Sequence, residues 1–390
     1  MVVGAGLAGV RAAAELRTRG YAGALTLVGA EEVGPYDRPP LTKAVLLGDI
    51  DGEPLDAGWL AGVDVRRGVR ATGLSAGVLE TSAGPLGWDG LVLATGAEPR
   101  RLAGSDGGAH VVRTQADAHR LRAALVPGAR VVVVGAGWIG AEVATAAARR
   151  GCAVTVLEAS TAPLAASLGP LAGARTAGWY AEAGVELRTG AAVSKVDSRG
   201  VGLAGEGRVD ADVVVEAVGV RPDLGWLAGS GVDVDAASGG AVVDEACRTA
   251  LPGVVAIGDC AARWSPRAGR RVRTEHWDDA LHAPSVAAAT LLGEAAVYDP
   301  VPYVWSEQFG RYVQWVGWRT DDGPAVWRGD PHAGTGWSAA WVNADGRLTG
   351  LLAVDRPRDC TQARRVIDAG RPIDPDRLAD PGVQLKAAVA

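Results

Sequence analysis

Six glycines and two acids set the chemistry open to this chain. Gly4, Gly6 and Gly9 stand in the spacing G-x-G-x-x-G, and Gly135, Gly137 and Gly140 repeat it. In that spacing the first glycine makes a tight turn. The second lets backbone approach a pyrophosphate, and the third lets a helix pack close to a strand. The pyrophosphate then sits on a helix N-terminus, where unpaired N–H groups and the dipole favour an anion. Leu7 and Ala8 fill the first loop; Trp138 and Ile139 fill the second. An acid follows each loop after about 20 residues, Glu31 in the first case and Glu158 in the second, where the fingerprint needs an acceptor for a ribose hydroxyl. Two complete sites mean two dinucleotides, and the usual pair is FAD and a nicotinamide. The Glu158 carboxylate would repel a 2′-phosphate, and Ala159, Ser160 and Thr161 offer no Arg to rescue one, so NADH is expected over NADPH. Arg149 and Arg150 end the preceding helix and are expected to be solvated.

Just past the first loop the chain reads "GPYDRPPLTKAV", Gly34 to Val45. In flavoprotein disulfide reductases a redox-active cysteine pair sits about here. Pro39, Pro40, Thr42 and Lys43 stand there instead. The four cysteines, Cys152, Cys247, Cys260 and Cys360, are nowhere closer than thirteen residues, and no C-x-x-C occurs. No thiol beside Lys43 can relay an electron pair, so a flavin here must discharge directly to an external acceptor. A flavin accepts a hydride and can release one electron at a time. The scattered cysteines suggest a reducing compartment, and the five scattered histidines give no metal-ligand spacing.

The elements that position these residues repeat at domain scale. "MVVGAGLAGVRAAAELRTRGYAGALTLVGAEE" at the N-terminus nearly recurs from residue 132 as "VVVGAGWIGAEVATAAARRGCAVTVLEAS". Each copy predicts strand, glycine loop, Ala-rich helix and second strand. "GLVLATGAEPR" predicts a strand ending at Ala94, Thr95 and Gly96, and "VVVEAVGVRPDL" repeats that pattern before Gly219. "GVVAIGDCA" predicts a buried strand that delivers Gly258 and Asp259 just past its end, where an acid can accept from a ribityl chain. After "DPVPY", Asp299–Tyr303, the composition changes, and six of the thirteen tryptophans lie beyond position 300. There "GWSAAWVNADGRLTGLLAVD" predicts two strands around an Asp345-Gly346 turn, followed by a helix over 360–369. A net charge of −6 and a pI near 5.5 argue against nucleic acid as the main partner. The longest apolar run, Val131–Ala148, holds three glycines and Glu142, which fits strand, turn and helix better than a membrane span. No basic segment followed by an apolar one opens the chain, so a cytoplasmic protein without a secretory signal is expected.

Together "GAGLAGV", "YDRPPLTK", "LVLATGAEPR", "VVRT", "GAGWIGAE", "AIGDCA", "RTEHWDDA" and "VWSEQFG" cover essentially the whole chain. The combination resembles the FAD-dependent ferredoxin reductases of bacterial oxygenase systems, with apoptosis-inducing factor a more distant relative. The resemblance implies an α/β, glutathione-reductase-like fold of two Rossmann-like domains plus a small C-terminal α+β domain. Its boundaries would be 1–105 and 223–298 for FAD, 106–222 for NAD and 299–390 for the last domain. It implies NADH:ferredoxin reductase activity, with an acidic [2Fe–2S] ferredoxin docking near the flavin edge, an oxygenase downstream, and a monomer or homodimer. The alternatives are a rubredoxin or nitrite-type reductase, or a redox-sensing interaction protein like apoptosis-inducing factor. Carried over position by position, Ala8 and the first loop would hold the FAD pyrophosphate. Lys43 would lie beside the isoalloxazine, with Arg38 lining the same pocket. Ala71 would touch the adenine, Arg113 would reach the flavin side, Asp259 would bind the ribityl chain, and Trp277 would lie against the flavin ring. Trp138 would flank the nicotinamide, and Glu142 would pair with Lys43. Relatives place the FAD ribose acid where this chain has Ala30, one residue before Glu31. The run Arg263, Arg267, Arg270, Arg271 and Arg273 leads straight to Trp277 and is a candidate ferredoxin contact.

Overall fold

A computed structural model describes residues 1–205, 207–320 and 326–390, and the chain gathers into two compact units. The first comprises Met1–Asp37, Gly52–Glu98 and Val220–Pro300; the second comprises Arg38–Asp51, Pro99–Gly219 and Val301–Ala390.

The first unit is built on a parallel sheet in the order Val254–Ala256, Leu91–Leu93, Val2–Val3, Thr26–Val28, Asp64–Arg66. Its central strands are unbroken apolar runs because both faces are covered. The crossover helix Leu7–Thr18 offers Ala12, Ala13 and Leu16, and the helix Trp277–Leu291 offers Ala283, Ala287 and Ala288, to one core. Small side chains on both helices let them lie close over the sheet. Strand order reverses beside Val2–Val3, so the first glycine loop leaves the sheet at the switch point where doubly wound sheets bind ligands.

The second unit repeats this plan and adds a further layer. Its parallel sheet runs Glu186–Thr189, Ala153–Glu158, Arg130–Val134, Val213–Glu216, again with the reversal beside the strand that feeds the glycine loop. The C-terminal segment forms an antiparallel sheet in the order Tyr303–Gln308, Arg311–Gly317, Leu348–Val354, Trp337–Val342, Val326–Arg328. Residues alternate between its faces. Leu351 and Ala353 pack with Cys360, Ala363, Val366 and Ile367 of the helix Pro357–Ala369. Leu352 and Val354, with Trp315, Trp337 and Trp341, pack on Leu164, Leu168, Ala172 and Trp179 of the nicotinamide-type fold. The tryptophans therefore close a core between this sheet and the short helices Ala165–Leu168, Pro170–Ala174 and Gly178–Glu182, and Trp315 meets Trp341 edge-on at 4.8 Å between centroids. The turn expected at Asp345-Gly346 joins these strands, with Gly346 at φ +72°. The helix expected over 360–369 begins earlier, at Pro357, since proline at the first helical position loses no hydrogen bond. Among the described residues no helix is long and apolar enough to cross a membrane.

Candidate functional site

The two glycine loops are built alike, atom for atom in their constraints. Gly4 and Gly135 turn the chain at φ +110° and +103°. A Cβ on Gly4 would sit 2.1 Å from the Ala94 carbonyl oxygen, and one on Gly135 would sit 2.5 Å from that of Ala217. Gly9 and Gly140 press their helices onto the same turns: a Cβ there would lie 1.8 Å from Gly4 O or 2.0 Å from Gly135 O. Gly6 and Gly137 are the opposite case. Each caps its helix in extended backbone, and a Cβ on either meets nothing within 4 Å. That open backbone, at a helix N-terminus, is the cradle a pyrophosphate needs, and both loops fit a dinucleotide.

In the first unit three segments converge at the carboxyl ends of adjacent strands. The Gly4–Gly9 loop abuts Ala94, which leads to Thr95 and Gly96. Gly258, at φ +68°, lies with its ideal Cβ 3.3 Å from that of Ala8, and it opens the short turn that presents Asp259. Glu31 accepts from the Tyr36 hydroxyl at 2.6 Å. Trp277 begins its helix and donates Nε1–H to both Asp37 oxygens at 2.9 and 3.0 Å. Ala71 opens the strand Ala71–Ser75. His276, the residue before Trp277, is held below its ordinary pKa by burial, against the pull of Asp259.

In the second unit Glu158 ends its strand with both carboxylate oxygens engaged. Ala136 N–H, inside the glycine loop, donates to Oε2, and Ser160 N–H donates to Oε1, each at 2.7 Å. A carboxylate has about four acceptor sites, so capacity for a ribose hydroxyl remains. Trp138 starts the loop's helix half-buried against the tryptophan cluster, while Ile139 is exposed. Gly219, at φ +93°, accepts from Arg100 N–H at 2.9 Å. Arg38 donates to the Arg113 carbonyl at 2.5 Å.

A buried polar cluster surrounds Glu142, only 4% exposed on the helix Trp138–Arg149. Its Oε1 lies 2.9 Å from Lys43 Nζ and accepts from Ser306 Oγ at 2.6 Å; its Oε2 accepts from Thr42 Oγ1. Gln308 Nε2 donates in turn to Ser306 Oγ at 3.0 Å. Every member belongs to the second unit. Thr42, Ser306 and Gln308 were not singled out from sequence. Two polar side chains at alternate positions of one strand, as Ser306 and Gln308 are, were the available signal.

All four thiols are free. Burial pushes Cys247 and Cys360 up to about 12 and raises Cys152 and Cys260 as well, so none is poised as a thiolate. Two arginine readings need correction. Arg150 is not solvated: it is half-buried and donates to the carbonyls of Leu125, Leu47 and Arg122, an arrangement a long side chain at a helix end reaches easily. Arg263 is not on a docking face: it is 5% exposed, ion-pairs with Asp279 at 3.3 Å and stacks over Tyr298. Arg273 is likewise largely buried and pairs with Glu275 at 2.6 Å. Among the described residues no cluster of His, Cys, Asp and Glu could hold a metal ion.

Two family patterns match the chain: pyridine nucleotide-disulphide oxidoreductase over residues 1–283, and reductase C-terminal over residues 303–389. The chain is 39% identical to the ferredoxin–NAD(+) reductase component of the anthranilate 1,2-dioxygenase system of Burkholderia cepacia, across 99% of this chain and 98% of that protein. It superposes on the crystal structure of Fdr9 with TM-score 0.92 and 50% identity, covering 98% of each chain. It is also similar to the reductase in the covalent putidaredoxin reductase–putidaredoxin complex, with TM-score 0.93, 31% identity, and 99% and 98% coverage.

Proposed function

The chain belongs to the pyridine nucleotide-disulphide oxidoreductase family, with the reductase C-terminal domain, and on that premise we propose an NADH-dependent flavoprotein reductase that passes electrons through FAD to a [2Fe–2S] ferredoxin serving an oxygenase. It works in the cytoplasm. One observation carries the reading: two complete glycine cradles stand in a chain whose thiols are all held protonated by burial. The cradles supply places for two dinucleotides, and the thiols supply no internal electron acceptor. When bound, FAD takes a hydride from NADH and gives up electrons singly, the step-down an iron–sulfur carrier requires.

The residue roles follow from their chemistry. Gly4, Gly6 and Gly9, with Leu7 and Ala8, hold the FAD pyrophosphate on the helix N-terminus, and Asp259 accepts from the ribityl hydroxyls. Glu31 accepts from the FAD ribose. Gly135, Gly137 and Gly140 hold the nicotinamide dinucleotide, and Glu158 accepts from its ribose while excluding a 2′-phosphate. Trp138 flanks the nicotinamide. Lys43 supplies the cation that steadies negative charge on the flavin, and Glu142 fixes that lysine. Arg38, Arg113 and Trp277 complete the flavin surroundings.

The test is NADH-driven reduction of cytochrome c by the purified yellow protein. The rate should rise with added [2Fe–2S] ferredoxin and saturate. A rate that ignores ferredoxin, in protein carrying full FAD, overturns the proposal.

A further inference from the structure

Ser306 comes from the first strand of the C-terminal sheet, far in sequence from every residue assigned to either cofactor. Its side chain nevertheless reaches the carboxylate that pairs with Lys43. Ser306 is wholly buried, and its Oγ lies 2.6 Å from Glu142 Oε1, the same oxygen that lies 2.9 Å from Lys43 Nζ. Two residues on, Gln308 shares that strand face and points Nε2 at Ser306 Oγ from 3.0 Å.

The direction of these bonds decides what they do. A hydroxyl carries one proton and two acceptor sites. Gln308 donates into an acceptor site, so the single Ser306 proton is left for Glu142 Oε1. On the other side Thr42, next to Lys43 in sequence, donates to Oε2. The carboxylate is thus gripped at both oxygens by hydroxyls from opposite ends of the chain. Terminal carboxylate torsions are broad and set mainly by such partners. With Ser306 removed, Oε1 keeps only the lysine, and the carboxylate and ammonium can turn together away from their present line.

We propose that Ser306 is a positioning residue for electron entry: aligned by Gln308, it fixes the Glu142 carboxylate and through it the Lys43 ammonium. The C-terminal sheet thereby contributes to the reaction with NADH and not only to packing. The proposal rests on the role given to Lys43 above.

The experiment compares FAD-loaded wild type, Ser306→Ala, Ser306→Thr, Gln308→Leu and Lys43→Ala by stopped flow at saturating NADH. Ser306→Ala should slow flavin reduction about tenfold, with NADH affinity unchanged and the flavin midpoint potential more negative. Ser306→Thr, which keeps the hydroxyl, should restore both. Gln308→Leu should shift both in the same direction by less, which covers the case of a Ser306→Ala protein that does not fold. The double variant with Lys43→Ala should be no slower than Lys43→Ala alone, because a residue acting through the lysine has nothing left to position. With only Lys43, Lys195 and Lys386 in the chain, acylation can be read by peptide, and Lys43 should label faster in Ser306→Ala. Wild-type rate, potential and labelling in Ser306→Ala overturn the inference while Lys43→Ala remains slow. A Lys43→Ala protein with wild-type rate and potential overturns the reading of Lys43 itself.

Discussion

At the scale of single residues, Glu158 carries two duties that its sequence position reveals only in part. The acid at the end of the second strand is visible from spacing alone. Its bonds to Ala136 N–H and Ser160 N–H are not, because they depend on how the glycine loop folds back over the strand end. The two duties separate in variants. Glu158→Gln removes the charge and keeps a carbonyl for the Ala136 N–H, but turns its NH2 toward the Ser160 N–H, so its melting temperature should fall less than that of Glu158→Ala. Its preference for NADH over NADPH should narrow about tenfold, or about 1.4 kcal/mol. Glu158→Ala should lose the preference and melt lower as well, since a loop N–H goes unanswered. Measuring kcat/KM with both nucleotides beside the melting curves checks this. An unchanged preference in Glu158→Gln would move specificity to another residue. Lys43 shows the same limit of reading: its type and neighbours mark it, but its pairing with Glu142, whose carboxylate is held by Thr42 and Ser306, joins three distant parts of the chain.

At the scale of elements, the glycine loops were the most legible part of the molecule, since a local turn followed by a helix is encoded in a dozen adjacent residues. Each glycine in them does a different job, and the structure makes those jobs testable. A Cβ on Gly6 meets nothing within 4 Å and sits on backbone at φ −80°, which any residue adopts. Gly6→Ala should therefore fold normally yet hold FAD at least about tenfold more weakly, because the methyl enters the space a pyrophosphate needs. A Cβ on Gly9 lies 1.8 Å from the Gly4 carbonyl oxygen, backbone that cannot yield without moving the strand. Gly9→Ala should lose soluble folded protein whether or not FAD is supplied. Melting curves with flavin absorbance separate the two, and a Gly6→Ala protein with wild-type FAD retention would show that the cradle is not where the cofactor binds. The C-terminal sheet was legible as strands and a turn, but not as a wall of the nicotinamide-type fold. Its tryptophans predict burial, and only tertiary closure shows that they bury against Leu164, Leu168 and Trp179.

At the scale of the whole molecule, charge sets an opposition that one measurement resolves. The chain carries a net −6, and an acidic ferredoxin carries the same sign, so the long-range force between them is repulsive. Productive docking must then rest on a local positive patch. With Arg263 in a buried ion pair and Arg273 largely buried beside Glu275, the candidates left in the run 263–273 are Arg267, Arg270 and Arg271, all exposed. Arg271 also donates to the Val243 carbonyl at 3.3 Å, which holds its guanidinium against the sheet edge. Screening lengths fall from about 10 Å at 0.1 M salt to about 3 Å at 1 M. If net charge governed the encounter, salt would speed ferredoxin reduction by masking repulsion. If the local patch governs it, salt should slow the reaction, while NADH reduction of an uncharged quinone stays level. Slowing is the expected result, and Arg270→Glu should reproduce it at low salt by raising the ferredoxin KM several-fold with the NADH KM unchanged. Faster ferredoxin reduction in high salt, or an Arg270→Glu protein with wild-type ferredoxin KM, would place the docking face elsewhere on the molecule.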